Sequence, residues 1–132
     1  MIYMRHIVLS GISHHVIEEL EHEKIKTIEI RSPHNFRSVL ETEVGDLIIL
    51  TSRSQEDIRS GTPGHIVRIR EKQVSMHRVI QKTPDSYEES EFQLARLQLE
   101  MKGHARVRKI EVYKLGDAMV VDADEVCNFE GR

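Results

Sequence analysis

The apolar run Leu47–Thr51 constrains the fold of this chain more than any other segment. A turn signal, Val44-Gly45-Asp46, precedes the run and limits it to the length of a strand. Because its side chains are apolar on both faces, neighbours must cover both sides, as is typical of a strand central in a sheet or barrel. Aromatic residues make up only 5% of the chain and Trp is absent, so the surrounding core must be mainly Ile, Val and Leu.

Four elements are expected before this central strand, and each is marked by a turn or a capping residue. They are a buried strand over 6–10 that ends at Gly11, a helix over 14–23 capped by Ser13, a strand over 24–31, and a helix that begins at Ser32-Pro33 and reaches about Leu40.

The segment after the central strand is expected to start with a turn, Gly61-Thr62-Pro63-Gly64, in which Gly64 serves the turn or a close backbone approach. A strand-like segment follows over 65–80. The phase of its alternation slips near 71–73, which indicates a bulge or a tight turn at that point.

A third helix is predicted over 86–102, opened by Thr83-Pro84-Asp85 and stopped by Gly103. Phe92, Ala95 and Leu99 would form its apolar stripe. Strands over 106–115, with a phase slip at 109–110, and over 118–121 complete the chain.

This order predicts an α+β fold, most simply a small mixed β-barrel with two or three peripheral helices, because closure removes exposed sheet edges. A ferredoxin-like open sheet is the competing architecture. No internal repeat or linker divides residues 1–132, so we expect a single domain.

Charge and cysteine content exclude several classes of protein. The net charge is −3, so there is no overall basic excess of the kind that marks many nucleic-acid-binding proteins. The lone cysteine, Cys127, cannot form an internal disulfide, and no apolar stretch is long enough for a signal sequence or a membrane span. We therefore expect a cytoplasmic protein with no membrane partner and no cofactor.

Glu29 and Arg31 lie on one face of the predicted second strand, about 6.6 Å apart along it. They can pair with each other, or together hold a ligand that offers both donors and acceptors. Two predicted helix starts lead away from the same region, so free N–H groups and an arginine would converge on one anion site. The expected ligand-binding residues are Ser10, Gly11, Ser13, His14, Lys26, Glu29, Arg31 and Ser32. The alternative is a surface pair worth under about 1 kcal/mol.

The pattern Lys26-x-x-Glu29-x-Arg31 resembles the signature of ASCH domains, a branch of the PUA-like superfamily, although Lys24 stands where that signature has Gly. The resemblance covers roughly residues 6–80 and implies a PUA-like barrel that binds RNA or a nucleotide-like ligand. In that role Arg31 would bind phosphate, Glu29 would accept from base or ribose donors, and Lys26 would add a second charge.

Two other functions stay open. Some ASCH-like proteins are linked to hydrolysis of modified nucleosides or RNA, which would make Lys26 a base with Asp57 as a partner. A protein-interaction module, with the third helix covering a partner, is the other alternative. Whether the chain is an enzyme, and its oligomeric state, remain open at this point.

The whole chain also resembles an archaeal family of uncharacterised proteins, family 473 of the domains of unknown function. The segments that carry this resemblance are Leu9-Ser10-Gly11-Ile12-Ser13, Thr27-Ile28-Glu29-Ile30-Arg31-Ser32, Val44-Gly45-Asp46 and Gly61-Thr62-Pro63-Gly64. This family implies a fold but no established activity.

Basic residues recur at every second position in two later strands. They are Arg68, Arg70 and Lys72 in one strand, and Arg106 and Arg108 in the other. If the strands are adjacent, these side chains could form a nucleic-acid-binding stripe; otherwise they are solvated surface.

Three side chains of the first predicted helix, His15, Glu19 and His22, share one face and could reach a single metal ion. No Cys-x-x-Cys or His-Glu-x-x-His motif accompanies them. We therefore expect no metal.

Overall fold

The computed structural model describes residues 4–112 and 118–128. The described residues form an α+β structure with two α-helices, one short 3₁₀ helix and six strands. The strands are β1 (Met4–Leu9), β2 (Ile25–Ile30), β3 (Leu47–Leu50), β4 (Pro63–Thr83), β5 (Ser86–Val112) and β6 (Val120–Asn128); the helices are α1 (His14–Glu23) and α2 (Pro33–Leu40), and the 3₁₀ helix covers Gln55–Asp57.

All six strands belong to one mixed sheet in the order β2-β5-β4-β3-β1-β6, and β5 also pairs with β6. The pairing is parallel between β1 and β3 and antiparallel elsewhere. The hydrogen-bonded pairs therefore pass from β5 through β4, β3, β1 and β6 and return to β5. β2 lies outside this cycle and, among residues 4–112 and 118–128, pairs with β5 alone, so its other edge is open to these residues.

The central position predicted for the third strand is confirmed. β3 lies between β1 and β4, and Ile48, Ile49 and Leu50 are buried. Ile48 and Leu50 pack into one hydrophobic cluster with the helices, and Ile49 packs into a second cluster on the opposite face. Because the strand alternates between the two clusters, each of its faces is covered, as an unbroken apolar run requires.

The predicted third helix is wrong, because residues 86–102 belong to the strand β5. The pairs Thr83↔Ser86 and Lys82↔Tyr87 close a hairpin, so Thr83-Pro84-Asp85 is part of a tight turn and not a helix start. Gly103 does not end the element either; it pairs with Ile66 inside the strand.

The two phase slips in the sequence correspond to irregularities in strand register. The β4–β5 ladder shifts between Ile69 and Glu71, so Arg70 is an extra residue on β4. The β5–β6 ladder shifts between Val107 and Lys109 and again between Ile110 and Val112. Bulges of this kind bend long strands, which allows β5 to pair with three partners along its length.

The outer part of the β4–β5 hairpin, residues 75–94, is called the arm here. Among the described residues, its strand pairs join only members of the arm, from Ser75↔Leu94 to Thr83↔Ser86, and the ribbon is about 30 Å long. His77 stacks on Phe92 with ring centroids 4.9 Å apart, and Arg78 forms an ion pair with Glu89. The arm exposes several large apolar side chains, among them Met76, Ile80, Tyr87 and Phe92.

Neither α-helix is long and apolar enough to cross a membrane, within the part of the chain that the structure describes. α1 and α2 lie instead on the sheet, where Leu20 and Phe36 enter the first hydrophobic cluster.

Candidate functional site

The open edge of β2 forms one wall of a cleft of about 370 Å³, called the β2 cleft here. The other walls come from the turn before α1 and from the start of α2. The lining residues are Gly11, Ile12, Ser13, Val16, Lys26, Thr27, Ile28, Glu29, Ile30, Arg31, Ser32 and Asn35. Because consecutive β2 residues line the cleft, it follows the edge of the strand, where backbone groups that are not bonded to β5 face outward.

A hydrogen-bonded turn connects β1 to α1. Gly11 has a φ of +65°, which suits glycine, and its N–H donates to the Arg53 carbonyl at 2.8 Å. Ser13 is the N-cap of α1, and its hydroxyl accepts a hydrogen bond from the backbone N–H of His15. Ser13 and Val16 bring the start of α1 into the lining of the cleft.

Asn35 holds the start of α2 against the end of β1. Its buried side chain accepts from the N–H of Ser10 at 3.0 Å and donates to the Ser10 carbonyl at 2.7 Å. Ser32 caps α2, and its hydroxyl accepts from the N–H of Asn35 at 3.3 Å. Asn35 cannot be identified as a site residue from the sequence, because nothing in its spacing reveals that a side chain of α2 satisfies the backbone of β1.

Glu29 lies between two arginines on the outer face of the sheet. Its Oε2 accepts from Arg31 at 3.1 Å, and its Oε1 is 3.3 Å from a guanidinium nitrogen of Arg96 on β5. All three side chains are substantially exposed. Arg96 lies directly opposite Glu29 in the β2–β5 register, and it could not be identified as a site residue while residues 86–102 were predicted to be helical.

Lys26 lines the cleft and forms an ion pair with Glu19 of α1. Glu19 also pairs with His15. The hydrogen bond from Lys26 lowers the pKa of Glu19, and the same bond raises the pKa of Lys26. A general base needs a lowered lysine pKa, so this pairing suits a binding role for Lys26 and not the hydrolytic one.

The remaining predicted rim and partner residues lie outside the cleft lining. Ser10 is buried behind Asn35, and His14 is exposed at the first position of α1. Asp57, the partner considered for Lys26, lies in the 3₁₀ helix and accepts a hydrogen bond from Ser54 at 2.8 Å.

The register separates the two groups of basic residues. Arg68 lies opposite Glu100, whereas Arg106 lies opposite Pro63, so the groups are about 17 Å apart along the hairpin. Arg106 and Arg108 are exposed near the β6 residues Asp122 and Asp124.

A second cleft, of about 590 Å³, lies on the outer face of the sheet, and several basic side chains line it. It contains Arg70, Lys72 and Arg96, with Glu71 as its acidic residue, and Thr27 lines both this cleft and the β2 cleft. Lys72 donates to the Thr42 carbonyl at 2.6 Å. The two clefts therefore adjoin across β2.

Comparison with known proteins gives a family but no activity. The profile of a family described as "Protein of unknown function (DUF473)" matches residues 4–121. The chain is 35% identical over 103 residues to "Uncharacterized protein MJ0105" of the archaeon Methanocaldococcus jannaschii; the match covers 78% of this chain and 64% of that relative. No solved structure matches at a significant level. With most of its length matched by this profile, the chain belongs to the DUF473 family, as its resemblance to family 473 predicted.

Proposed function

We propose that residues 1–132 form a single PUA-like domain that binds RNA or a nucleotide-like ligand in the β2 cleft. The observation that carries the proposal is the composition of this cleft, in which Lys26, Glu29 and Arg31 lie with the residues that begin α1 and α2. The strand pairs lead from β5 through β4, β3, β1 and β6 back to β5, and this cycle supports the proposal of a small PUA-like barrel.

The chemistry of the cleft suits a ligand that has both an anion and hydrogen-bond donors. Arg31 is 68% exposed in its side chain and forms an exposed ion pair with Glu29, so it can turn to a phosphate at low cost. Glu29 then keeps its ion pair with Arg96. Its remaining lone pairs can accept hydrogen bonds from the amino or hydroxyl groups of a base or ribose. The adjacent helix starts add N–H groups and positive dipole ends.

The second cleft extends the proposed binding surface along a strand of RNA. Arg96, Arg70 and Lys72 continue from Glu29 across β5 and β4. Cations in such a row bind successive phosphates without reading the base sequence. Aromatic residues are absent from the lining of both clefts, so base stacking is not expected to contribute.

The test is a binding measurement with fluorescently labelled single-stranded RNA and with mononucleotides. Arg31→Ala should weaken binding about tenfold or more, since it removes a charge-assisted contact to phosphate. It should also reduce the slope of log affinity against log salt concentration by about one.

Arg59→Ala is the matched control. Arg59 is an exposed arginine outside both clefts, so its removal makes the same change in net charge. Equal binding by wild type and Arg31→Ala, or equal weakening by both substitutions, would contradict the proposal.

A second candidate function, association with another copy of the chain, is favoured by the arm. Met76 and Tyr87 are 65% and 58% exposed, far from either hydrophobic cluster. Association of two arms would cover these exposed apolar side chains.

A further inference from the structure

Three side chains from distant parts of the sequence meet beneath the second half of α1. Glu21 extends from α1, His65 from β4 and His104 from β5. The two histidines are directly opposite in the β4–β5 register, so both point to the face that α1 covers. Within residues 4–112 and 118–128, this trio is the group of His, Cys, Asp and Glu side chains that comes close enough to hold a metal ion.

The distances within the trio are close to those of a metal site. His65 Nε2 is 2.6 Å from Glu21 Oε1, His104 Nε2 is 3.4 Å from the same oxygen, and the three ligand atoms all lie within 4.8 Å of one another. Four-coordinate Zn²⁺ holds nitrogen and oxygen ligands at about 2.0–2.2 Å, which places neighbouring ligand atoms about 3.3 Å apart. His104 and Glu21 already have this separation, and the distance between His65 and Glu21 has to lengthen by about 0.7 Å to reach it.

The surroundings also fit a metal site. The side chains of Glu21, His65 and His104 are 41%, 21% and 40% exposed, so each ligand is partly buried, and Nε2 of His104 is itself buried. The imidazole rings of His65 and His104 meet edge to face, with centroids 4.9 Å apart. This arrangement lets both Nε2 atoms approach one carboxylate oxygen without stacking of the rings. The backbones of α1, β4 and β5 fix all three ligands, so little ordering is needed on binding.

From this geometry we propose that Glu21, His65 and His104 form a Zn²⁺ site with three protein ligands. Two imidazoles and one carboxylate are the donor set that zinc enzymes use when one coordination position is left for water or substrate. A cleft of about 190 Å³ borders both histidines and is also lined by Arg106. The open position therefore suits water or an anionic oxygen such as that of a phosphate or carboxylate.

This site is separate from the β2 cleft, which none of its three ligands lines. It also differs from the helical trio considered in the sequence, because Glu19 is occupied by His15 and Lys26. The expectation of no metal rested on the absence of a local motif. A trio that is assembled by one helix and two strands leaves no such motif in the sequence.

The test is a calorimetric titration of the EDTA-treated, dialysed full chain with ZnCl₂. Wild type should bind one equivalent, and Mg²⁺ should not bind, because it prefers oxygen ligands in octahedral geometry. Substitution with Co²⁺ should give the intense visible absorption of a four-coordinate ion. Glu21→Gln and His104→Ala should each weaken Zn²⁺ binding at least about tenfold, as removal of a ligand requires.

His22→Ala is the matched control, since it removes an exposed histidine next to Glu21 on the same helix. It should bind Zn²⁺ as tightly as wild type. Circular dichroism of each variant establishes that it is folded, and the Co²⁺ spectrum of wild type tests the site without any substitution. Absence of a one-to-one Zn²⁺ complex, or unchanged affinity in both ligand variants, would overturn the proposal and leave the trio as an ion pair that ties α1 to the hairpin.

Discussion

Gly64 shows at the scale of one residue how closely β4 approaches β3. A Cβ atom at this position would lie 2.5 Å from Cγ2 of Ile49, well inside van der Waals contact. Ile49 is fully buried, so it has little room to move away. The close approach expected for Gly64 from the sequence is therefore present, and it concerns a side chain that the sequence could not name.

Gly64→Ala should lower the free energy of unfolding by about 1–3 kcal/mol, since it overpacks a filled core. Urea denaturation followed by circular dichroism measures the change. In the double variant Gly64→Ala/Ile49→Ala, the smaller side chain at position 49 leaves space for the new methyl group. The double variant should therefore lose less stability than the sum of the losses measured for the two single variants. A Gly64→Ala protein as stable as wild type would show that the strands separate easily here.

His34, the second residue of α2, makes stability depend on pH. Burial lowers the pKa of His34 below its ordinary value of 6.5, and among the residues that the structure describes its buried Nε2 has no hydrogen-bond partner. The unfolded chain therefore binds the proton more readily than the folded chain. Stability from this group is complete above pH 6.5 and is lost as the pH falls through 6.5 towards the folded pKa.

The midpoint temperature of wild type should therefore fall between roughly pH 7.5 and pH 5.5, and His34→Gln should show a smaller fall because it cannot be protonated. Differential scanning calorimetry at both pH values measures the difference. His14→Gln changes an exposed histidine and should keep the wild-type dependence. Equal decreases of the midpoint temperature in wild type and in His34→Gln would show that His34 does not contribute to the pH dependence of stability.

At the scale of elements, β5 was the segment that sequence patterns predicted least well. Ala95, Leu97, Leu99 and Met101 are buried and alternate with polar residues, which is the period of a strand. The stripe Phe92, Ala95 and Leu99 fits a helical period equally well, and Pro84 and Gly103 suggested helix ends. Only the pairing with β2, β4 and β6 decides between the two periods, and that pairing is not local.

The sequence predicts α1, α2 and the first strands closely, because the signals for these elements lie in neighbouring residues. Ser13 and Ser32 form the caps that their spacing indicated, and α1 covers the predicted residues 14–23. Capping depends on neighbours within one turn, so the information lies in a few adjacent residues. The same locality explains why Lys26, Glu29 and Arg31 were singled out, whereas Arg96 and Asn35 were not.

The arm should be dispensable for folding of the rest of the chain, because its residues 76–93 belong to neither hydrophobic cluster. Replacing residues 76–93 with Asn-Gly would close β4 and β5 with a two-residue turn after Ser75↔Leu94. The midpoint temperature should then change by only a few degrees.

The same variant tests the second candidate function by sedimentation velocity. Wild type should form a concentration-dependent dimer, and the shortened chain should stay monomeric. A large loss of stability would show that the arm supports the core, and a monomeric wild type would exclude self-association through it.

At the scale of the whole molecule, two hydrophobic clusters share one sheet. The first lies between the sheet and the helices, and the second involves the opposite face of β1 and β3, the later part of β5 and the first residues of β6. The sequence predicted an α+β fold, since periodicity is local, but not the strand order, which depends on pairing between distant residues. Glu21, His65 and His104 escaped notice for the same reason.

The pairing of β1 with β6 also has a consequence for synthesis of the protein. Met4 is opposite Ala123, so β1 lacks one of its two neighbours until the segment that forms β6 has left the ribosome. A nascent chain that stalls before residue 120 would expose this edge to other nascent chains. Folding of this sheet during synthesis should therefore be completed only after β6 has emerged, and until then β1 can pair with other nascent chains.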